Sequence, residues 1–195
     1  MDEEKIFNGI NPSEFISQIT RKIKKIGVIV ADVGQHQMWS AQSSHIYSDT
    51  RFLTSGGMGA MGFAIPSLIG CAVVSDINCL AITGDGCAQL SLNELQTIKE
   101  NNLPVTIIVM NNKQHGMVAQ FQEQNTPGRY FFTRENYSTP DFVKISKAYG
   151  IKSKRITHKT KLKKIIKLIE RHRGQPLVLE VCIPTEAKAL PKMNW

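Results

Sequence analysis

Two short apolar runs, each ending at a polar or glycine-rich turn, constrain the fold of this chain more than any other feature. The runs cover residues 79–82 and 105–110, and their continuous apolar character is typical of strands buried on both faces of a parallel sheet. Between them, Leu92, Leu95 and Ile98 recur at helical spacing. The pattern predicts a strand–helix–strand unit, and so an α/β fold with a doubly wound, mostly parallel sheet and helices on both faces.

Two polar residues follow these strands, namely Asp85 within Gly-Asp-Gly and Asn112 within an Asn-Asn pair. A right-handed crossover brings the carboxyl ends of both strands to one edge of the sheet, so the two side chains are expected to lie side by side. Carboxylate and amide oxygens suit a hard divalent cation that also binds phosphate. Gly84 and Gly86 allow the backbone to approach a ligand. The sequence therefore predicts a magnesium–diphosphate site. A Gly-Asp-Gly without the Asn pair would be equally typical of an ordinary turn with an incidental Asp.

A third apolar run, residues 26–33, predicts another buried strand that ends at the same edge of the sheet. Its exit contains Gln35 and His36, which can offer donors to a diphosphate, although a lone histidine is more often structural. Residues 54–66 form a glycine-dense loop that turns into an apolar helix, where small residues permit close packing on the sheet.

Capping residues and shorter apolar patterns predict the remaining elements. They are a helix that begins at residues 11–14, a helix capped by Ser138 or Thr139 that runs through Tyr149, an edge strand at residues 151–156 and a buried strand at residues 176–183. Residues 122–137 are polar and turn-rich, and they are expected to form a mobile segment that orders around a cofactor.

Composition narrows the class of protein. A chain of 195 residues suffices for one well-buried domain, and we expect a single domain over residues 1–195. The four cysteines form no Cys-x-x-Cys pair, which favours reduced thiols over a zinc or iron–sulfur site. The N-terminus is acidic and polar, and the longest apolar stretch, residues 58–74, is interrupted by glycines and a proline. We therefore expect a cytoplasmic protein with no membrane span.

Much of the net charge of +8 lies in residues 152–173. Leu162, Ile165 and Ile169 form an apolar helical stripe there, which leaves the lysines for the opposite side. We interpret these lysines as a solvated helix face, with an anionic partner surface as the alternative. The segment lacks aromatic residues for base stacking and the chain lacks a nucleic-acid-binding motif, so no nucleic-acid partner is expected.

The spacing of the two strand-end motifs carries a resemblance to a known family. Asn112 follows Asp85 by 27 residues, a pattern that resembles the thiamine-diphosphate motif. Residues 32–42 and 117–121 also resemble the corresponding stretches of the acetohydroxyacid synthase (acetolactate synthase) large catalytic subunit. The resemblance implies that this chain has the thiamine-diphosphate-binding fold and is the domain that binds the diphosphate and the metal.

The resemblance also implies roles for individual residues. The backbone carbonyl of Gln114 completes the magnesium ligands, the carbonyl of Gly59 faces the cofactor's amino group, and Met61 wedges between its two rings. Phe121 takes the acceptor-binding position, where many of these synthases carry Trp, so the second substrate is left open. The expected cofactor-binding residues are Gly34, Gln35, His36, Gly59, Met61, Gly84, Asp85, Gly86, Cys87, Asn112, Gln114, His115, Gly116 and Met117, with Asp85, Asn112 and Gln114 as the metal ligands.

Enzymes of this family decarboxylate a 2-oxo acid and transfer the two-carbon unit to a second 2-oxo acid, a step of branched-chain amino acid biosynthesis. The family's catalytic glutamate lies on a pyrimidine-binding domain of a neighbouring subunit, and FAD belongs to a central domain. Neither domain is expected within these 195 residues, so no catalytic residue is assigned to this chain. We expect a C-terminal fragment that is inactive alone and that belongs to a homodimer or larger assembly.

Two alternatives to the synthase hypothesis remain open. The chain has a size suited to the small subunit of a two-chain 2-oxo-acid decarboxylase with the same metal motif. The second alternative is a non-catalytic phosphate-binding module. The pair of Asp85 and Asn112 argues against it, because simple phosphate binding needs no metal.

Overall fold

A computed structural model describes residues 9–23, 25–74 and 77–190. These residues form one six-stranded sheet with strands β1 (Ile26–Ala31), β2 (Arg51–Thr54), β3 (Asn78–Gly84), β4 (Val105–Asn111), β5 (Lys152–Ile156) and β6 (Leu177–Cys182). The spatial order is β2-β1-β3-β4-β6-β5, and every neighbouring pair is parallel. The predicted class, an α/β fold with a doubly wound parallel sheet, is confirmed.

Helices cover both faces of this sheet. They are α1 (Pro12–Lys22), α2 (Gln35–Ser43), α3 (Ala64–Val74), α4 (Asp85–Gln89), α5 (Glu94–Glu100), α6 (Gly116–Asn125), α7 (Phe142–Ala148) and α8 (Leu162–Arg171). Side chains of α1, α2 and α8 pack with Ile29, Leu80 and Ile108 in one apolar cluster. Those of α3, α5 and α7 pack with Val30 and Ala81 in a second cluster, on the opposite face, because alternate residues of a strand point to opposite sides.

The register of the central strands determines what meets at their carboxyl ends. Gly84 of β3 pairs with Met110 of β4, and Ala31 of β1 pairs with Ile82 of β3. The residues that follow these three strands therefore emerge together at one rim of the sheet, which we call the carboxyl edge.

Helix boundaries follow the capping residues, with one correction. Asn11 caps α1 as expected, and its side chain accepts a hydrogen bond from the Glu14 amide at 3.1 Å. The prediction that Ser138 or Thr139 caps α7 is wrong, because Asp141 is the N-cap and accepts from the Lys144 amide at 2.9 Å.

Two further differences from the sequence pattern concern exposed segments. The strand β2 was not predicted, since it has only four residues, pairs only with β1 and buries little of its surface. The expected loop at residues 122–137 is wrong in its first four residues, which continue α6 to Asn125.

Within the part of the chain that the structure describes, no helix is long and apolar enough to cross a membrane. All four cysteines are free thiols.

Candidate functional site

A cleft of about 440 Å³ opens at the carboxyl edge, between the ends of β1, β3 and β4 and the first turns of α2, α4 and α6. Among the residues predicted from sequence, those that line this cleft are Gly34, Gln35, His36, Met61, Gly84, Asp85, Gly86, Cys87, Asn112, Gln114, His115, Gly116 and Met117. Val33, Trp39, Met110 and Val118 also line it and were not predicted. The topology thus brings together residues that are scattered over more than 80 positions of the chain.

Asp85 is the first residue of α4 and is only 2% exposed. Its Oδ1 accepts from the Gly86 amide at 2.8 Å and from the Tyr137 hydroxyl at 3.4 Å, and its Oδ2 accepts from the Lys113 amide at 2.8 Å. Burial raises the pKa of this carboxyl group to about 6, against the opposing effect of these hydrogen bonds. Among the described residues, no side-chain nitrogen of Lys, Arg or His forms an ion pair with the carboxylate within 4 Å, so this buried acid lacks a positive partner.

Asn112 is buried beside Asp85 and is held by its side-chain nitrogen. Its Nδ2 donates to Gln35 Oε1 at 3.1 Å, and its backbone carbonyl accepts from the Thr185 hydroxyl at 3.0 Å. No described residue donates to its Oδ1. The amide is therefore oriented so that its oxygen is the atom available to a ligand.

The turn after Asn112 depends on Lys113, which has a φ of 57° in the left-handed region. The side chain of Gln114, next along the chain, is fully engaged. Its Nε2 donates to the Thr185 carbonyl at 2.6 Å, and its Oε1 accepts from Arg134 at 2.9 Å. Its backbone carbonyl accepts no hydrogen bond from the described residues and is left for another partner.

These groups fit a magnesium ion. A buried carboxylate without a positive partner, an oriented amide oxygen and an unpaired backbone carbonyl are hard oxygen donors of the kind that Mg²⁺ prefers. The predicted ligands Asp85, Asn112 and Gln114 are thus adjacent in the fold and chemically suited to one cation.

A second carboxylate, Asp32, lies at the end of β1 and is 0% exposed. Its Oδ1 accepts from three backbone amides, those of Val33 (2.9 Å), Gly62 (3.0 Å) and Phe63 (3.3 Å). Its Oδ2 accepts from the Ala64 amide and the Thr83 hydroxyl, both at 3.1 Å. Asp32 therefore ties the glycine-dense loop and the start of α3 to the sheet. Sequence reasoning missed this role, for which the signal was a carboxylate directly after a buried strand.

Asp32, His36 and Cys87 place potential metal-ligand atoms within 4.8 Å of one another. Five donors already occupy the Asp32 carboxylate. The Cys87 thiol donates to the Val33 carbonyl at 3.1 Å, and burial raises its pKa to about 12, so it stays protonated. We therefore interpret the three as a structural cluster rather than a second metal centre.

His36 is buried, and its Nε2 has no hydrogen-bond partner among the described residues. Burial lowers the pKa of its imidazole to about 4 despite the nearby Asp32 charge, so the ring is neutral at pH 7. The ring packs against Gly84, where an added Cβ would lie 2.7 Å from His36 Cε1. An unpartnered ring nitrogen beside the cleft fits a polar ligand such as a diphosphate.

His115 packs in the same manner against Gly86, the residue that follows Asp85. A Cβ at Gly86 would lie 2.7 Å from His115 Cε1, so neither glycine of Gly-Asp-Gly has room for a side chain. The His115 ring meets the Tyr137 ring edge to face, with centroids 4.6 Å apart, and burial lowers its pKa.

Gln35 was predicted to donate to a diphosphate, but its side chain is already engaged. Its Nε2 donates to Gln120 Oε1 at 2.8 Å and to the Ala187 carbonyl at 3.2 Å, while its Oε1 accepts from Asn112. Gln35 thereby orients a metal-ligand candidate, and Gln120, which links it to α6, was not predicted.

Three residues whose roles came from family resemblance lie nearer the surface. Met61 is 41% exposed and lines the cleft. Gly59 has a φ of 63° in the loop before α3 and is not among the lining residues. Phe121 is 44% exposed on α6, also outside the cleft lining.

Comparison with known proteins relates this chain to thiamine enzymes. It is 36% identical to acetolactate synthase 2, chloroplastic, of Zea mays over 195 aligned residues. The alignment covers 96% of this chain and 30% of that protein. It is 36% identical over 179 residues to the mitochondrial acetolactate synthase catalytic subunit of Aspergillus candidus, covering 91% of this chain and 25% of that one. The chain thus spans less than a third of the length of these relatives.

The fold is shared with a solved structure as well. Benzoylformate decarboxylase from Polynucleobacter necessarius superimposes with a TM-score of 0.81 at 22% identity, over 97% of this chain and 36% of that one. The family model described as "Thiamine pyrophosphate enzyme, C-terminal TPP binding domain" matches residues 32–181, which contain the carboxyl edge described above. The chain therefore belongs to the thiamine pyrophosphate enzymes and corresponds to the C-terminal TPP-binding domain of acetolactate-synthase-like members.

Proposed function

We propose that this chain binds the magnesium–diphosphate end of thiamine diphosphate as one domain of an acetolactate-synthase-like enzyme. The observation that carries the proposal is the buried carboxylate of Asp85, which has no positive partner and lies 2.8 Å from the amide of the turn between Asn112 and Gln114. A buried charge of this kind costs free energy unless a cation or proton compensates it. A divalent cation bridging to a diphosphate would supply that compensation.

The residues divide the work of binding among them. Asp85, the Asn112 amide oxygen and the Gln114 carbonyl would hold the magnesium ion, and the unpartnered Nε2 of His36 would contact the diphosphate. The neutral state of His36 at pH 7 makes its ring a dipolar partner rather than a fixed charge. Gly59, by its carbonyl, and Met61 are proposed to orient the cofactor rings.

The reaction itself is proposed from the relatives named as acetolactate synthases. When bound, thiamine diphosphate supplies the electron sink that decarboxylation of a 2-oxo acid requires. We propose that the enzyme transfers the resulting two-carbon unit to a second 2-oxo acid, and that Phe121 contributes to the choice of that acceptor. Because the chain spans less than a third of its relatives, this activity belongs to the whole enzyme.

Partners complete the proposal. A pyrimidine-binding domain, from the same or a neighbouring subunit, is expected to supply the glutamate that this domain lacks, in a homodimer or larger assembly. FAD, if used, is assigned to a further domain. The cytoplasmic location stays a prediction, since the two relatives above are named as chloroplastic and mitochondrial proteins.

Calorimetric titration of the chain with thiamine diphosphate, with and without Mg²⁺, tests the binding proposal. We expect Mg²⁺-dependent binding that Asp85→Ala abolishes and that Asp49→Ala, a change of an exposed acid outside the cleft, leaves intact. Binding that is equal with and without Mg²⁺ would instead identify a simple phosphate-binding module. If the isolated chain binds nothing, the titration is repeated with the pyrimidine-binding domain added, and absence of binding there as well contradicts the proposal.

A further inference from the structure

A third buried carboxylate, Glu180, lies one strand in from the edge strand β5 and outside the cleft. It is 3% exposed on β6, between the fully buried apolar residues Leu179 and Val181. Its Oε1 accepts from Asn111 Nδ2 at 2.8 Å, and its Oε2 accepts from Arg155 Nε at 2.9 Å. A buried charge is costly unless it is paired and hydrogen-bonded, and Glu180 meets both conditions through β4 on one side and β5 on the other.

The contact with Asn111 determines which way its side-chain amide faces. Asn111 Nδ2 donates to Glu180, with a longer contact of 3.4 Å to the Thr139 hydroxyl, and Asn111 Oδ1 accepts from the Lys113 amide at 3.1 Å. If the amide were turned over, its oxygen would face the Glu180 carboxylate and its NH₂ group would face the Lys113 N–H. Both contacts would then be repulsive, so Glu180 selects the orientation that supports Lys113.

The Lys113 amide is the point at which this support reaches the cleft. Lys113 has a left-handed backbone, which is unfavourable for a residue with a side chain. Two acceptors share its N–H, Asn111 Oδ1 at 3.1 Å and Asp85 Oδ2 at 2.8 Å. The turn stands between Asn112 and Gln114, so whatever stabilises it also places both of these metal-ligand candidates.

We propose that Glu180 is a positioning residue for the metal site: through Asn111 it holds the Lys113 turn, and through the turn it places Asn112 and Gln114. Arg155, on the edge strand β5, balances the negative charge of Glu180. Its guanidinium also forms an ion pair with Asp141 at 2.9 Å. The inference rests on the proposed function only for the identity of the ligand. Its structural half concerns the turn itself and applies to the metal-free chain.

Hydrogen exchange of the metal-free chain, followed by NMR, tests the structural half. In Glu180→Leu, the Lys113 amide should exchange about tenfold faster relative to the Ile108 amide in the middle of β4, because Asn111 is no longer oriented. Glu180→Gln has one oxygen for two donors, so it is combined with Arg155→Met; the double variant retains an oxygen for Asn111 and should keep most of the wild-type ratio. Arg155→Met leaves a buried carboxylate uncompensated, so it lowers global stability but should also keep the ratio.

Titration with Mg²⁺ and thiamine diphosphate tests the functional half on the same variants. We expect the Mg²⁺-dependent affinity to fall about tenfold or more in Glu180→Leu and to be largely rescued in the double variant Glu180→Gln with Arg155→Met. Equal changes at Lys113 and Ile108 in Glu180→Leu would overturn the inference and leave Glu180 a purely structural residue. If the wild-type chain binds in no Mg²⁺-dependent way, either alone or with the pyrimidine-binding domain added, the proposed function is contradicted instead, and the exchange ratio still decides whether Glu180 positions the turn.

Discussion

Asp32 and Asp85 occupy equivalent places in the fold, yet their surroundings differ. Each follows directly after a buried parallel strand at the carboxyl edge, and each is almost completely buried. Asp32 accepts hydrogen bonds from five donors, four backbone amides and one hydroxyl. Asp85 accepts from two amides and, at the longer distance of 3.4 Å, from the Tyr137 hydroxyl.

The difference shows that burial at a strand end does not by itself define a ligand site. Asp32 has its oxygens occupied by donors from the protein, so it serves to assemble the loop before α3. Asp85 has fewer donors, and burial raises its pKa to about 6. The ionised carboxylate therefore destabilises the folded chain unless a cation is bound. The number of donors around a carboxylate, rather than its position, separates the structural acid from the candidate metal ligand.

The largest expected effect is on stability when either acid is removed. Asp32→Ala leaves five donors without an acceptor and should lower the free energy of unfolding by about 3–5 kcal/mol. Asp85→Ala loses fewer hydrogen bonds and also removes an uncompensated charge, so its loss should be below about 1.5 kcal/mol. Urea denaturation of the metal-free chain at pH 7 measures both, and equal losses would remove the distinction between the two acids.

The second effect is a pH dependence that belongs to Asp85. Its pKa in the folded chain is about 6 against an ordinary value of 3.8, so the folded state keeps the proton to higher pH than the unfolded state does. Stability is therefore lost as pH rises from about 4 to about 6, by up to about 3 kcal/mol for a shift of this size.

This loss is measured as the difference in free energy of unfolding between the wild-type chain and Asp85→Asn, without metal. Residue 85 has no ionisable group in the variant. The stability of the wild type should therefore fall relative to that of the variant across this pH range, and the difference should be constant above the range. A difference that stays constant from pH 4 to pH 7 would show that Asp85 is ionised normally and needs no cation.

A smaller effect tests whether the Asp32 donors act individually. Thr83→Val keeps the shape of a buried side chain and removes one hydroxyl donor to Asp32, so it should cost about 1–2 kcal/mol in urea denaturation. Thr106→Val is the matched control, since Thr106 lies half-buried on neighbouring β4 with no side-chain hydrogen bond among the described residues. Equal stabilities of the two variants would mean that four amides alone satisfy Asp32.

The carboxyl edge was predictable from sequence where the chain's topology determines it. Parallel strands with right-handed crossovers place their carboxyl ends together, so apolar runs that stop at Gly-Asp-Gly and Asn-Asn suffice to bring Asp85 beside Asn112. The strand β2 escaped prediction because an edge strand of four half-exposed residues has no apolar run.

The hydrogen-bond partners were not predictable, because they depend on contacts between residues that are distant in sequence. Asp32 takes its donors from residues 62–64 and from Thr83, and Gln35 reaches Gln120 and Ala187. Periodicity places such side chains at the edge, but it does not count their donors. The same limit concealed Glu180, which looks from sequence like a polar interruption of a buried strand.

The smallest expected effect concerns the longest hydrogen bond to Asp85. Burial and the Asp85 charge raise the pKa of the Tyr137 phenol, so it remains a donor at neutral pH. Tyr137→Phe removes this donor at 3.4 Å but keeps the edge-to-face contact with His115, so stability should change by no more than about 0.5 kcal/mol.

The lost hydrogen bond favoured the carboxylate, and the pKa of Asp85 should therefore rise by about a few tenths of a unit, measured by carboxyl ¹³C NMR of the metal-free chain. Tyr47→Phe, whose hydroxyl donates to the Arg21 carbonyl away from the cleft, should leave that pKa unchanged, and a fall in the Asp85 pKa in Tyr137→Phe would show that the phenol does not stabilise the charge.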